Sequence, residues 1–284
     1  MHLFHTEKGI ILKDRNSWHW INDEWDSLIN RESLYKHLFQ LSATAKTISE
    51  AESNEYLNEF LLPPIASQEV WAAGVTYLRS RDARMDESKD SGGADCYSKV
   101  YDAERPELFF KALPQRVVGH GQNVYIRKDS TWNVPEPELT LYINSSGTIQ
   151  GYTIGNDMSS RSIEGENPLY LPQAKMYERS AAIGPCLYVI EELITAATMI
   201  RMQIIRKNKT VFEDAVAISR MKRSLVELVS YLYRECDFAT GCFLMTGTCI
   251  VPPNNFTLQE DDVVDITIDG IGRLTNIVAL KKSQ

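Results

Sequence analysis

The chain has 284 residues and a formal net charge of −8. This acidity argues against a nucleic-acid surface, because phosphate binding requires clustered Lys and Arg. Apolar residues make up 43% of the chain and charged residues 24%, and no apolar run approaches the roughly 18 residues that a membrane span needs. Residues 1–9 are too polar for a secretory signal, so we expect a cytoplasmic protein that binds neither nucleic acid nor membrane.

Residues 1–64 differ in character from the rest of the chain. They contain three tryptophans, short strand-like runs and a predicted helix over residues 33–44, and they end at the extended Pro63-Pro64. We predict a small N-terminal accessory domain over residues 1–64 and a larger domain over residues 65–284.

Cysteines and histidines limit the possible chemistry. The five cysteines contain no C-x-x-C pair, which indicates neither a disulfide framework nor a zinc site. Four of the five histidines lie in the first 37 residues, which leaves His120 alone in the rest of the chain. A reaction that needs a histidine base therefore has few candidates.

A charged segment follows a short buried strand at residues 69–75. Residues 77–88 are predicted to form either a solvated helix or a lid, with a flexible break at residues 91–93. A lid would bring arginines to a carboxylate, and the candidates are Arg79, Arg81 and Arg84.

Glu107 and Lys111 lie further along and flank two phenylalanines. They are interpreted as an exposed i,i+4 pair.

Two glutamates stand in an alternating stretch at the centre of the chain. One face of a strand is predicted to carry Glu136, Glu138 and Thr140. Neighbours in this set would lie about 7 Å apart along the strand, because a strand rises roughly 3.3 Å per residue. The opposite face would carry Leu139, Leu141 and Ile143. Because Pro135 and Pro137 lack an N–H, this strand is predicted to begin at a rim of the sheet.

Carboxylates held this close raise each other's pKa unless a cation lies between them. Asp157, predicted to follow a second strand through a Gly155-Asn156 turn, would be the third carboxylate. Three carboxylates and water suit Mg²⁺ or Mn²⁺, whereas zinc would call for His or Cys. The alternative is a solvated strand face whose glutamates only protect an edge from aggregation.

The remaining pattern predicts an α+β fold with a mixed, largely antiparallel β-roll or barrel. Residues 163–175 are predicted to be a loop and residues 219–235 a long amphipathic helix. Hairpins are predicted around Lys207-Asn208 and, with a type I′ turn, at Asp269-Gly270. No phosphate-binding glycine loop or G-x-S-x-G motif is present, which favours metal-assisted acid/base chemistry.

Several motifs, in their order along the chain, resemble the fumarylacetoacetate hydrolase family. They are Val-Pro-Glu-Pro-Glu-Leu, Gly-Asn-Asp-Met-Ser-Ser-Arg, Ala-Lys, Ile-Gly-Pro and Thr-Gly-Thr, and the likeness runs from about Trp71 to Ala279. The sequences of residues 101–112 and 164–175 are similar to those of one branch of the family, the 2-keto-3-deoxy-D-arabinonate dehydratases. The resemblance implies the family's mixed β-roll as the catalytic domain over residues 65–284.

The resemblance also implies roles for site residues. Glu136, Glu138 and Asp157 match carboxylates that hold Mg²⁺. Lys175 matches the active-site lysine, and Glu107 matches a carboxylate expected to transfer protons. The expected substrate-binding residues are Arg161, Glu164, Thr248 and Ser80.

The chain departs from the hydrolases of the family in one respect that bears on the reaction. Those hydrolases carry a water-activating His and a nearby Glu after a Gly-x-Asn-Tyr motif, where this chain has Ser80 and Ala83. Ser162 also stands where the dehydratase branch is expected to have Asp.

These features lead to the hypothesis of a dehydratase that acts on a small anionic 2-keto-3-deoxy sugar acid. Mg²⁺ would chelate the keto acid and stabilise an enolate, the C4 hydroxyl would be lost, and 2-oxoglutarate semialdehyde would form. Either Lys175 or Glu107 would be the base. The alternatives are an acylpyruvate hydrolase or oxaloacetate decarboxylase of the same family, and a keto-acid binder without turnover. The resemblance further implies a homodimer or homotetramer.

Overall fold

A computed structural model describes residues 1–87 and 94–282, and the predicted break at residues 91–93 lies outside them. Over the described residues the strands are β1 (His2–Thr6), β2 (Gly9–Asp14), β3 (Ser17–Ile21), β4 (Lys46–Ile48), β5 (Glu69–Gly74), β6 (Glu107–Ala112), β7 (Val117–Val118), β8 (Asn123–Ile126), β9 (Asn133–Val134), β10 (Pro137–Ile143), β11 (Ile149–Asp157), β12 (Ser159–Ser160), β13 (Ala181–Tyr188), β14 (Met199–Arg206), β15 (Lys209–Ala217), β16 (Cys242–Met245), β17 (Val263–Ile268) and β18 (Gly272–Leu280). The α-helices are α1 (Trp25–Ile29), α2 (Leu34–Ser42), α3 (Glu50–Phe60), α4 (Leu78–Glu87), α5 (Ala94–Asp102), α6 (Arg161–Glu166), α7 (Leu171–Lys175) and α8 (Leu225–Leu232).

The strands form one large sheet and one smaller sheet, with β9 and β12 paired separately. In the described part of the chain the large sheet has 11 strands in the order β4-β3-β2-β1-β13-β11-β10-β16-β5-β6, and β7 pairs with β13. The smaller sheet has five strands in the order β15-β14-β17-β18-β8. Most neighbouring strands are antiparallel. The prediction of an α+β, largely antiparallel fold is confirmed, but the large sheet ends at β4 and β6 and no barrel closes over these residues.

Two apolar cores lie on opposite faces of the large sheet. One core fills the space between the two sheets, where β10 contributes its alternate residues Leu139, Leu141 and Ile143. Residues of the other set on β10, such as Tyr142, pack into the second core with the N-terminal helices. The predicted alternation is therefore correct, and it directs Glu138 away from the core between the sheets.

The N-terminal segment extends the large sheet. Strand β1 pairs antiparallel with β13, with Leu3 opposite Leu187, and β2, β3 and β4 continue outward from it. Helix α2 lies within the predicted range 33–44. The division of the chain at residue 64 stays a prediction.

Two local predictions were wrong, and a third was right about the helix but not about its length. Residues 163–175 are mostly helical, because α6 and α7 enclose a short 3-10 turn in which the Asn167 side chain accepts a hydrogen bond from the Leu169 N–H. The helix predicted over residues 219–235 is limited to α8, which begins at a capping box between Ser224 and Glu227. Gly155-Asn156 is not a turn, since both residues belong to β11.

The two predicted hairpins are present, but one turn differs. Lys207 and Asn208 both have positive φ, and they connect β14 to β15. Between β17 and β18, Gly270 has a φ of 81° whereas Asp269 does not have a positive φ. A type I′ turn requires positive φ at both central residues, so the predicted type I′ turn is wrong.

In the part of the chain that the structure describes, no helix is both long enough and apolar enough to cross a membrane. The four cysteines whose side chains are described, Cys186, Cys236, Cys242 and Cys249, are free thiols.

Close packing between β10 and β11 supports the strands that carry the central carboxylates. Gly155 lies opposite Glu138, and a Cβ at Gly155 would overlap the Thr140 hydroxyl oxygen and lie 3.2 Å from the Met245 methyl carbon. We expect Gly155→Ala to lower the free energy of unfolding by about 1–3 kcal/mol, because added atoms in a packed interior force neighbours out of place. Denaturant unfolding measures this change.

The matched control is Gly155→Ala combined with Thr140→Ala, which removes the overlapping hydroxyl. We expect the double variant to regain most of the lost stability. A double variant as unstable as Gly155→Ala would contradict this packing explanation.

Candidate active site

Three buried carboxylates meet where two antiparallel strands lie side by side. Glu136 precedes β10, Glu138 lies in β10, and Asp157 ends β11. The Asp157 backbone N–H donates to the Glu136 carbonyl oxygen at 2.9 Å, which places these residues across from each other. One oxygen from each of the three carboxylates lies within 4.8 Å of the others. The predicted cluster is thus brought together by strand pairing.

The donor set fits a hard divalent cation. All three residues offer carboxylate oxygens, and Mg²⁺ and Mn²⁺ prefer oxygen ligands, whereas zinc sites are built mainly from His and Cys. Glu136, Glu138 and Asp157 could therefore hold Mg²⁺.

The like charges perturb the cluster's protonation. Burial raises the pKa of Glu138 well above its usual range, and the neighbouring charges of Asp157 and Glu136 raise it further. The Gly247 N–H donates to Glu138 Oε2 at 2.5 Å and acts in the opposite direction. Burial would also raise the pKa of Glu136, but the cations Lys175, Arg84 and Arg161 together hold it below its usual range.

Gly247 follows β16 and approaches the cluster closely through its backbone. Its φ is 94°, and a Cβ there would overlap the Thr76 hydroxyl oxygen. Only glycine adopts this conformation at low cost, which is what allows its N–H to reach Glu138.

Lys175 joins two of the three carboxylates. It ends α7 and is fully buried, and its Nζ donates to Glu136 Oε2 at 2.7 Å and to Asp157 Oδ2 at 3.1 Å. The Phe109 ring lies below it, with its centroid 5.9 Å from Nζ. The structure therefore places the predicted catalytic lysine against the predicted metal ligands.

Helix α6 adds Arg161 and Glu164 to the site. Arg161 is 2% exposed, and its guanidinium donates to Glu136 Oε1 at 3.2 Å. Glu164 is fully buried, and it accepts a hydrogen bond from the Ser159 hydroxyl at 3.3 Å and contacts Arg84.

The three arginines proposed for a lid have different partners. Arg84, in α4, reaches the cluster and lies 3.8 Å from Glu136 Oε1. Arg79 instead pairs with Asp214 at 3.0 Å, and Arg81 pairs with its neighbour Asp82. Helix α4 thus presents one of its arginines to the carboxylates.

Glu107 lies at the side of the cluster. Strand pairing places it opposite Gly74, and a Cβ on Gly74 would overlap the Glu107 carboxylate. Burial raises the pKa of Glu107, although Arg84 and Lys175 act to lower it. A glutamate of this kind exchanges protons nearer neutral pH than an exposed one.

Thr248 and Ser80 line a small cavity above the carboxylates. The Ser80 hydroxyl donates to the Tyr77 carbonyl oxygen at 2.7 Å, and the Thr248 hydroxyl donates to the Ile250 carbonyl oxygen at 3.3 Å. The cavity has a volume of about 10 Å³, which is room for about one water molecule. A larger ligand therefore needs lining side chains to move, and Arg84 is one of them.

Two other residues of interest lie away from the cavity. His120 accepts a hydrogen bond from the Thr275 N–H at 3.1 Å, and it is not among the lining residues. The Ser162 hydroxyl is hydrogen-bonded to the Ser130 hydroxyl at 2.9 Å. Ser162, which stands where the dehydratase branch is expected to have Asp, therefore lies outside the carboxylate cluster.

Lys111 is a site residue that the sequence pattern misplaced. It is fully buried in β6, and its Nζ lies 2.5 Å from Asp157 Oδ1, so the exposed i,i+4 pair with Glu107 is wrong. Residues four apart on a strand are about 13 Å apart along its axis, too far for such a pair. No local pattern of the sequence placed Lys111 in the site, because its partners Asp157 and the Lys175 carbonyl lie far along the chain.

Carboxyl groups and cations are nearly balanced at the site. Five carboxyl groups contact or adjoin four cationic groups, so the group carries one excess negative charge when every member is ionised. The carboxyl groups are those of Glu107, Glu136, Glu138, Asp157 and Glu164, and the cations are Arg84, Lys111, Arg161 and Lys175.

Residues 70–279 match the family model of the fumarylacetoacetate hydrolase C-terminal domain. The chain belongs to the fumarylacetoacetate hydrolase family. The match covers most of the chain and includes every site residue described above. The sequence-based assignment to this family is therefore confirmed.

Two similar curated proteins are dehydratases by name. The chain is 46% identical over 251 residues to a probable 2-keto-3-deoxyxylonate dehydratase of Haloferax volcanii, covering 88% of this chain and 84% of the relative. It is 43% identical over 221 residues to the 2-dehydro-3-deoxy-D-arabinonate dehydratase of Saccharolobus solfataricus, covering 77% and 74%.

A solved structure shares the fold over its whole length. It is a 2-keto-3-deoxy-D-arabinonate dehydratase in complex with magnesium and 2,5-dioxopentanoate, with a TM-score of 0.84, 33% identity and coverage of 100% of both chains. The dehydratase branch is thus the part of the family that this chain most resembles among these relatives.

The carboxylate cluster predicts how metal binding and stability are linked. We expect Mg²⁺ to raise the unfolding temperature of the wild-type protein, because a ligand that binds only the folded state stabilises it. Glu138→Gln should abolish most of this increase, since it removes a ligand oxygen charge. Without metal, Glu138→Gln should be at least as stable as wild type because it relieves repulsion.

Thermal unfolding with Mg²⁺ and with a chelator measures both effects. Glu213→Gln, on the exposed strand β15, is the control and should respond to Mg²⁺ as wild type does. An undiminished response in Glu138→Gln would rule out Glu138 as a ligand.

Proposed function

We propose that the protein is a Mg²⁺-dependent hydro-lyase that removes water from a 2-keto-3-deoxy sugar acid. The proposed substrate resembles 2-dehydro-3-deoxy-D-arabinonate, and the proposed product is 2-oxoglutarate semialdehyde. The observation that carries the proposal is Lys175 against Glu136 and Asp157, with Glu107 alongside and no histidine among the described residues that line the cavity.

The relatives support this choice within the family. Two dehydratases of 2-keto-3-deoxy sugar acids are 46% and 43% identical to the chain, and a dehydratase with magnesium and 2,5-dioxopentanoate shares its fold. At the places of the hydrolases' water-activating pair the chain has Ser80 and Ala83. Elimination needs no activated water, so these substitutions are compatible with it.

The metal would be held by Glu136, Glu138 and Asp157. When bound there, Mg²⁺ would supply a divalent charge that polarises a keto acid and favours loss of its C3 proton. Arg161 and the hydroxyls of Thr248 and Ser80 would bind the acid end and the remaining oxygens of the substrate. Glu164, which the resemblance assigns to substrate binding, would act there together with Arg84, which it contacts.

Two residues are proposed to move protons. Glu107, whose pKa is raised by burial, would accept the C3 proton. The Lys175 Nζ, which donates to two carboxylates, would give a proton to the departing C4 hydroxyl, so that the C4–O bond breaks and water leaves. The C3–C4 double bond forms from the C3–H electrons. A proton then moves from C5 to C3, which leaves a C4–C5 enol, and transfer of the enol hydroxyl proton to C4 gives the C5 aldehyde.

The charge of the site favours a substrate with one carboxylate. With a divalent cation added, the excess of one negative charge becomes an excess of one positive charge, which one substrate carboxylate neutralises. A dicarboxylate such as oxaloacetate would leave an unbalanced buried negative charge. A sugar acid, with hydroxyls at its far end, fits better.

We also propose a homodimer or homotetramer, from the family resemblance. Light scattering of the purified protein tests this assembly.

A substrate panel tests the proposed reaction. The protein is offered 2-keto-3-deoxy-pentonates, an acylpyruvate and oxaloacetate with Mg²⁺, Mn²⁺ or a chelator, and products are followed by NMR. We expect metal-dependent 2-oxoglutarate semialdehyde from a pentonate, with much slower turnover of the others. Acylpyruvate cleavage or oxaloacetate decarboxylation alone would replace the dehydratase by that activity, and binding without turnover would indicate a binding protein.

Hydrogen exchange at C3 separates the two proton-transfer roles. 2-Oxopentanoate has no C4 hydroxyl to lose, so in D₂O its C3 deuteration reports proton removal alone. Glu107→Gln should slow both exchange and dehydration by a factor on the order of 10²–10⁴. Lys175→Ala should keep exchange within about tenfold of wild type while dehydration falls by a factor on the order of 10²–10⁴.

Glu69→Gln, a glutamate of β5 outside the lining of the cavity, is the control and should match wild type in both assays. The opposite pattern, with exchange lost in Lys175→Ala and kept in Glu107→Gln, would reverse the two roles.

A further inference from the structure

Lys111 is a fully buried lysine to which the proposed reaction gives no step. Its Nζ lies 2.5 Å from Asp157 Oδ1 and donates to the main-chain carbonyl oxygens of Lys175 at 2.5 Å and Met158 at 3.1 Å. Two of the three N–H donors of this ammonium are thus directed at main-chain carbonyl oxygens, and its charge forms an ion pair with Asp157. These contacts all lie in the segments around the carboxylate cluster.

Burial of an ammonium is costly, and its hydrogen bonds must offset that cost. Burial lowers the pKa of Lys111, while the charge of Asp157 acts in the opposite direction. A methionine or leucine would fill the same volume without the cost of removing a charge from water. The contacts of Lys111, rather than its bulk, therefore distinguish it from an ordinary core residue.

The two lysines hold Asp157 from both sides. Lys111 lies at Oδ1 and Lys175 lies 3.1 Å from Oδ2, so both carboxylate oxygens have a cationic partner. Two partners on two oxygens limit rotation of the carboxylate about its Cβ–Cγ bond. The orientation of a predicted metal ligand is thereby restricted.

Lys111 also holds the end of the helix that carries Lys175. The last carbonyl groups of a helix lack partners within it, and a cation is favourable there. The Lys175 carbonyl accepts from Lys111 and from the Ser180 hydroxyl at 2.8 Å. These two contacts hold the C-terminal end of α7, which has only five residues, together with the bonds of the Lys175 side chain to Glu136 and Asp157.

Strand β6 brings these functions together. Glu107 and Phe109 alternate along it, with Phe109 under the Lys175 ammonium, and Lys111 lies at the point where the pairing of β6 with β5 shifts by one residue. A displacement of β6 would therefore move the proposed proton acceptor and the anchor of Lys175 at the same time.

We propose that Lys111 is a positioning residue that fixes the position of the Lys175 ammonium relative to the Asp157 carboxylate. This rests on the proposed function for its effect on turnover. Lys111 acts through the main chain of Lys175 and through Asp157. A misplacement of about 1 Å lowers a rate by a factor on the order of 100.

The test compares Lys111→Met and Lys111→Gln with Arg206→Met. Arg206 is a matched control, because it also donates to a buried carboxylate and a main-chain carbonyl, those of Asp262 and Thr257, at 2.7 Å and 2.9 Å. Each variant is measured for kcat, for KM and, without metal, for amide hydrogen exchange of residues 171–180.

We expect both Lys111 variants to lower kcat by a factor on the order of 100, with KM changed less than about threefold. Their exchange should increase in residues 171–180 and stay near wild type in β14 and β15. Arg206→Met should keep kcat and the exchange of residues 171–180, although it loses stability. Conservation of wild-type kcat, or an increase of exchange spread over the whole protein, would mean that Lys111 is merely structural.

Failure of the proposed function gives a different result. In that case wild type itself does not dehydrate the sugar acids, while the exchange measurement still reports whether Lys111 holds residues 171–180. Unchanged exchange there in the folded Lys111 variants would overturn the proposal whatever the reaction is.

Discussion

The repulsion among three buried carboxylates is the constraint on which the site depends. Glu136, Glu138 and Asp157 lie within 4.8 Å of one another in a region with little water to screen them. Burial and the like charges raise the pKa of Glu138, whereas the cations Lys175, Arg84 and Arg161 hold the pKa of Glu136 below its usual range. A divalent metal would relieve the same repulsion directly.

The cations that balance this charge come from separate elements. Lys111 lies in β6 at the end of the large sheet, whereas Arg161 and Lys175 lie in α6 and α7 and Arg84 lies in α4. Glu138 and Asp157 belong to β10 and β11, in the interior of the sheet, and Glu136 directly precedes β10. The near balance of charge at the site therefore depends on elements from separate parts of the chain, and a shift of one helix changes the charge that the others experience.

The reaction proposed for the site follows from what surrounds the cluster. In the proposed reaction the cluster would bind the keto-acid end of the substrate through the metal, and the residues around it would determine which bond breaks next. Here Lys175 donates to two of the carboxylates, Glu107 lies close enough to feel their charge, and His120 lies elsewhere, hydrogen-bonded to Thr275. This arrangement favours proton removal and proton return over activation of water.

Much of the site was determined by the sequence alone, because strand alternation is local. The alternation of residues 136–143 identified which side chains share a face, and the order of the motifs along the chain identified the family.

Tertiary structure decided the rest. Lys111 was misread as exposed, because its partners, Asp157 and the Lys175 carbonyl, lie 46 and 64 residues away, and no local pattern reports such contacts. Residues 163–175 were misread as a loop, because two short helices flank an Asn167 cap within a proline-rich stretch and the packing of the site holds them in place. Hydrophobic periodicity is determined by neighbours in the chain, whereas the pairing of buried charges is determined only when the chain has folded.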